Sequence, residues 1–250
     1  MIELTNVSKS YRGGATKAVD GLTLAVRPGE IFGFLGPNGA GKTTTIKMLV
    51  GLLQPDEGTV WLDGVDVTRD PLEAKRRIGY VPDNSELYDR LTGIEYLNFI
   101  GDVYGVAPAE RTERIERLTG GFELTGALKD RIGSYSHGMQ QKLALTAALL
   151  HEPPVWILDE PMVGLDPRSA HDLKQLMAAH CAQGNTVFFS THVLEVAERL
   201  CDRVGIINKG KLIALGTMEE LRRGQQGGPQ PGGAQPGESL EQIFLELTEA

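Results

Sequence analysis

Short apolar runs set off by polar turns recur along the first part of the chain. Residues 2 to 7, 22 to 26 and 31 to 35 have strand length and apolar character, and turns at 12 to 15 and 27 to 29 separate them. A helical stretch begins near Lys42 and runs to about Leu53. Pro55 to Gly58 reads as a turn into TVWLDG, and IGYVPD at 78 to 83 reads as a further strand. From about Ser85 to Leu150 the pattern becomes helical, with Tyr88, Tyr96, Phe99 and Tyr104 gathered in its first part; it predicts an inserted α-helical subdomain at about 85 to 150. Strand signals return with VWILDE at 155 to 160, TVFFS at 186 to 190 and RVGIIN at 203 to 208, separated by helices predicted over Ser169 to Cys181 and Val193 to Leu200. Buried strands alternating with helices predict an α/β fold with a largely parallel core sheet.

The carboxyl-terminal pattern differs. Residues 224 to 237 contain only Gly, Gln, Pro and Ala, which cannot build a core, so 223 to 237 is predicted to be a flexible linker. Its typical reach is about 20 Å. Ser239 and Gln242 then make a capping-box pattern, and Leu240, Ile243, Phe244 and Leu247 fall on one helical face. A short amphipathic helix over 238 to 250 is expected to pack on its own domain, residues 1 to 222, rather than on a partner.

Composition removes several function classes. The 250 residues are 41% hydrophobic, enough for a substantial core, and carry a formal net charge of −8. That acidic balance argues against nucleic acid as a partner and against anionic lipid. Cys181 and Cys201 cannot form a metal site alone and are expected to be reduced and packed, which fits a cytoplasmic setting. The first residues read as a strand rather than a signal peptide, and no apolar run approaches the roughly 18 residues that cross a bilayer.

Chemistry concentrates at GPNGAGKTT, where Gly36, Pro37, Asn38, Gly39, Ala40, Gly41, Lys42, Thr43 and Thr44 fill the pattern GxxxxGK[ST] between a predicted strand and a predicted helix. Glycines let successive backbone N–H groups turn inward to phosphate oxygens, and the helix presents the positive end of its dipole. Lys42 is placed to reach β and γ phosphates, the Thr43 hydroxyl to ligate Mg²⁺, and Thr44 to donate to the α phosphate. Downstream, the apolar strand Val155 to Glu160 ends in two acids. Asp159 suits a metal, and Glu160 suits polarising a water for attack on the γ phosphate.

With these elements in place, the chain resembles the ATP-binding cassette family from Tyr11 to His192. YSHGMQQ at 135 to 141 is similar to that family's signature, with Ser136, Gly138 and Gln140 matching and His137 replacing a glycine. Gly164 to Pro167 resembles the loop after the acidic strand, Ser190 to His192 the switch-histidine segment, and Tyr11 sits where the family stacks an aromatic ring on adenine. The resemblance implies a P-loop NTPase (RecA-like) core with N-terminal antiparallel β strands, and ATP and Mg²⁺ as ligands. It implies a head-to-tail homodimer in which ATP at Lys42 of one copy meets Ser136 and Gly138 of the other, with Asp166 linking the two sites and His192 holding the γ phosphate.

The closing SLEQIFLELT and YSHGMQQK are similar to the single-domain subunits that pair with a separate multi-span permease of the export type. That branch implies a protein peripheral on the inner face of the cell membrane, with the permease docking near residues 83 to 105. One departure stands out. Asp83 occupies the place of a family glutamine that contacts Mg²⁺ and water; an aspartate accepts but cannot donate, and adds negative charge beside triphosphate. The alternatives are a soluble cassette ATPase acting on ribosomes or DNA, disfavoured by the acidic balance and by the lack of a second cassette or long coiled-coil insertion; a GTPase or kinase; and a clamp with little hydrolysis. NKGK at 208 to 211 begins like a guanine-reading motif but has Lys211 where an aspartate is needed, and Glu160 with His192 argues for turnover.

Overall fold

The computed structural model describes residues 1–11, 16–162, 165–223 and 240–249. The expected linker at 224 to 237, Ser239, Gly164 and the side chain of Leu247 lie outside the described residues.

The first sheet is antiparallel and joins β1 (Ile2–Tyr11), β2 (Thr16–Val26), β4 (Glu57–Leu62) and β5 (Val65–Asp66) in the order β2-β1-β4-β5. The second joins β3 (Ile31–Leu35), β6 (Ile78–Val81), β7 (Val155–Asp159), β8 (Thr186–Thr191), β9 (Arg203–Asn208) and β10 (Lys211–Gly216) in the order β10-β9-β3-β8-β7-β6. Every pairing in this sheet is parallel except β9 with β10. The residues of β3, β7 and β8 are all buried, because a parallel sheet is covered on both faces, and their near-continuous apolar runs reflect it.

Helices fill the connections. α1 (Lys42–Leu49) follows β3, α2 (Pro71–Arg76) precedes β6, and α3 (Gly93–Val103), α4 (Pro108–Gly121) and α5 (His137–Leu149) lie between β6 and β7. α6 (Pro167–Ala182) links β7 to β8, α7 (Leu194–Leu200) follows β8, and α8 (Met218–Arg222) and α9 (Leu240–Glu249) complete the described chain.

Alternation along β8 divides the core. Val187 and Phe189 join Trp156, Leu158, the α5 residues Leu143, Leu145 and Leu149, and Leu150 that caps the helix in one apolar cluster that extends to Leu97 of α3 and Ile115 of α4. Phe188 points to the opposite face, its ring centroid 5.7 Å from that of Phe32 and 5.4 Å from that of Phe34, among Ile46 and Met48 of α1 and the antiparallel sheet. α5 is therefore buried on most of its circumference, and its apolar residues run together without a polar stripe. The approach of β6 to α5 is close enough that a Cβ on Gly79 would lie 2.3 Å from the Ala148 carbonyl oxygen, so only glycine fits there.

Four elements extend beyond the sequence expectation: β5, α2, α8 and β10. The NKGK stretch is the hairpin loop between β9 and β10, with Asn208 paired to Lys211 and positive φ at Lys209 (47°) and Gly210 (80°). A turn with that geometry accounts for these residues without any base-reading role. The amphipathic helix docks on its own chain: Leu240 and Ile243 of α9 are buried in a third cluster with Ala197 of α7, Leu221 of α8 and Leu35 of β3.

Candidate active site

Parallel pairing aligns the carboxyl ends of β3, β7 and β8, and the side chains that the sequence marks as chemical converge there. The loop after β3 runs into α1 through Gly41, which adopts φ 115° as the N-cap. A Cβ at Gly36 would come within 2.4 Å of the Ile207 carbonyl oxygen, and one at Gly41 within 2.5 Å of that of Ala18, so both positions need glycine. Lys42 is buried and donates from Nζ to the carbonyl oxygens of Gly36 at 2.7 Å and Pro37 at 3.3 Å. Its ammonium lies 3.7 Å from Glu160 Oε1. The loop's own carbonyl acceptors thus fix the lysine ammonium.

The acids ending β7 face this lysine. A cleft of about 210 Å³ is lined by the phosphate loop with Thr43, Thr44, Asp83, Asp159 and Glu160, together with Ala18, which sequence reasoning did not single out. Asp159 is buried, and burial raises its pKa, opposed by hydrogen bonds from Ser190 and Thr43; the charges of Asp83 and Glu160 push it further up. Glu160 Oε2 lies 3.0 Å from His192 Nδ1 and accepts from the His192 N–H at 3.3 Å.

Other expected site residues stand apart from the cleft of this single chain. Ser136 N-caps α5, its Oγ accepting from Met139 N at 3.3 Å, and His137 and Gly138 occupy the first turn. Gln140 Nε2 reaches the Ile132 carbonyl oxygen at 3.5 Å. Tyr11, at the end of β1, is 43% exposed and outside the residues that line the cleft. Asp166 N-caps α6, accepting from the N–H groups of Arg168 and Ser169, each at 3.0 Å, and from the Ser169 hydroxyl. The Ser169 bonds hold its carboxyl down at about 2.

Oxygen donors dominate the metal-binding chemistry available. Among the described residues no group of three His, Cys, Asp or Glu side chains is arranged to hold a metal by itself. A hydroxyl and carboxylates beside a polyphosphate loop suit a hard divalent cation that takes its remaining ligands from phosphate and water. The accumulated negative charge around Asp159 is the condition such a cation relieves.

A parallel sheet with a glycine-rich loop at one strand end, a buried lysine, and an acid pair at the end of the next strand but one defines a P-loop nucleoside triphosphatase. Residues 19–163 match the family model described as ABC transporter. The chain is 39% identical over 221 residues to the linearmycin resistance ATP-binding protein LnrL of Bacillus subtilis, covering 88% of this chain and 70% of that protein. A solved structure of an ATP-binding subunit of an ABC transporter superposes with a TM-score of 0.90 at 35% identity, covering 99% of both chains. The dimeric post-hydrolysis structure of the cassette MJ0796, bound to ADP and Pi, gives a TM-score of 0.80 at 26% identity, covering 87% of this chain and 99% of that one. The chain belongs to the ABC transporter family, as a subunit that binds and hydrolyses ATP.

The Asp166 cap has a signature in pH. A carboxyl held at about 2 when folded, against 3.8 as its ordinary value, stabilises the folded chain at higher pH and loses that contribution as pH falls from about 4 toward 2. Asp166→Asn keeps a capping oxygen that does not titrate. Thermal melting should therefore fall less steeply in the variant than in the wild type over that range, and parallel curves would contradict the assignment.

Proposed function

We propose that two copies of this chain close head to tail around two ATP molecules and drive a separate multi-span permease, with export as the direction of transport. The observation that carries the reading is the convergence of Lys42, Asp159 and Glu160 on one cleft, with His192 against Glu160, from three adjacent strand ends. The dimeric MJ0796 cassette supports the assembly, and the resistance function in LnrL's name supports export.

In this reading Lys42 exchanges its Gly36 and Pro37 carbonyl partners for phosphate oxygens and keeps its charge in place throughout. The Glu160 carboxylate accepts the proton of the attacking water. His192, already against Glu160, turns a donor to the γ phosphate and helps orient that water. From the second copy, Ser136 and Gly138 bring the amino end of α5 to the same phosphate; the Ser136 Oγ serves its own helix as acceptor and keeps its proton for donation. Gln140 lies one turn further on, Asp166 links the two sites across the interface, and Tyr11 stacks on adenine. Thr43, Asp159 and Asp83 would hold Mg²⁺, which when bound supplies neutralisation of the triphosphate charge. Loss of phosphate removes contacts and leaves like charges facing, and the dimer opens.

Among the described residues no helix is long and apolar enough to cross a membrane, so the permease supplies the span and holds this subunit on the inner, cytoplasmic face of the cell membrane. Its docking place is a groove of about 310 Å³ lined by Leu52, Tyr80, Leu87, Tyr96, Ile100 and Tyr104, at the junction of core and helical layer. Tyr88 and Phe99, packed edge to face beside it, are 56% and 44% exposed, which is costly apolar area to leave in water.

Glu160→Gln should cut hydrolysis by at least about 100-fold and accumulate an ATP-bound dimer seen by light scattering. Equal turnover in variant and wild type would remove Glu160 as the base. Asp83→Gln should shift the Mg²⁺ concentration at half-maximal hydrolysis, and an unchanged value would dismiss a metal role for Asp83. Leu52→Glu should abolish copurification of a multi-span membrane protein while ATP-dependent dimerisation persists; intact copurification would move the docking site elsewhere.

A further inference from the structure

Ser190 sits near the carboxyl end of β8, fully buried and opposite Asp159 in the parallel register. Its one hydroxyl makes two bonds of opposite sense: Oγ donates to Asp159 Oδ1 at 2.5 Å and accepts from Glu160 N–H at 3.0 Å. A hydroxyl has a single proton, so both bonds are specified and neither can be exchanged for the other. The partners are the two successive acids of the hydrolytic site.

The backbone between those acids is unusual. Glu160 adopts φ 50°, a left-handed conformation that a long side chain seldom takes without support from its surroundings. The Ser190 hydroxyl bonds the N–H of that residue. Two residues further on, just past the end of β8, His192 meets the Glu160 carboxylate. β8 and the residue that follows it therefore grip the Asp159 carboxylate, the Glu160 backbone and the Glu160 carboxylate at three separate points.

We propose that Ser190 is a positioning residue of the ATPase site, orienting the Asp159 carboxylate toward the metal and holding the left-handed Glu160 backbone so that its carboxylate faces the water. The inference rests on the roles given above to Asp159 and Glu160. Replacement by alanine leaves a buried N–H and a buried carboxylate oxygen without this partner, and releases Asp159 to rotate. Groups that orient a metal-facing carboxylate in this way commonly change metal affinity or activity by about 10- to 100-fold.

The test combines kcat with Mn²⁺ binding in the presence of ATP, read by electron paramagnetic resonance, and ATP binding in EDTA, on the full chain. Ser190→Ala should lower kcat about 10- to 100-fold and weaken Mn²⁺ by at least about threefold, with metal-free ATP affinity within about twofold. Ser190→Thr keeps the hydroxyl and should recover most of both losses. A merely structural serine would lower the folded fraction without moving Mn²⁺ affinity per folded molecule. Unchanged Mn²⁺ affinity in Ser190→Ala, or a threonine variant no better than alanine, overturns the proposal. Asp159→Asn separates the levels: if it weakens Mn²⁺ while Ser190→Ala does not, only the serine's role fails. If neither weakens it, the metal role of Asp159 fails and the serine's role with it.

Discussion

The pairing of β8 with both β3 and β7 is the constraint on which the rest depends. Parallel neighbours in register deliver their carboxyl ends to one edge, so the lysine loop after β3, the acids ending β7 and the histidine after β8 meet although the loop precedes the other two by more than a hundred residues. A slip of one residue between β7 and β8 would turn Val187 and Phe189 away from the helical layer and carry Ser190 and His192 off the acids in the same movement. Packing of the core and geometry of the site are enforced by the same register.

Charge is the second organising force. Three carboxylates, Asp83, Asp159 and Glu160, share a cleft with a single buried ammonium on Lys42. The ammonium rests between backbone carbonyls and Glu160, and burial pushes the Asp159 carboxyl toward protonation. The cluster thus carries more negative than positive charge, an imbalance that the divalent cation proposed for the site would relieve. An acidic protein can therefore serve a polyanion, because the local arrangement of dipoles and one lysine matters more than net charge.

Much of this was legible in the chain because the chemistry is written in contiguous words. The GxxxxGK[ST] loop and the Val155 to Glu160 strand carry their geometry with them, and the apolar runs of β3, β7 and β8 announce burial on both faces. What escaped has identifiable causes. β10 begins after a hairpin whose first loop residue, Lys209, takes a positive φ that glycine or asparagine would have advertised. α2 is only six residues long, although Asp70 caps it and Pro71 opens it. Ala18 reaches the cleft from the antiparallel sheet, and Ser190 acquires its partners across a strand pairing between residues 31 positions apart; neither distance has a local signal. Tyr11 and the signature residues were legible as motifs, but within one chain they do not touch the cleft.

The caging of Lys42 has a consequence in entropy. A free lysine side chain surrenders up to about 2 kcal/mol of rotamer freedom when it is fixed. Here two carbonyls of its own loop fix it, so that loss falls on folding, and in the role proposed for Lys42 it does not fall on nucleotide capture. The nucleotide meets a lysine that is already aimed. In that role affinity reflects the exchange of one set of oxygen acceptors for another, and release of product would return the side chain to its own loop.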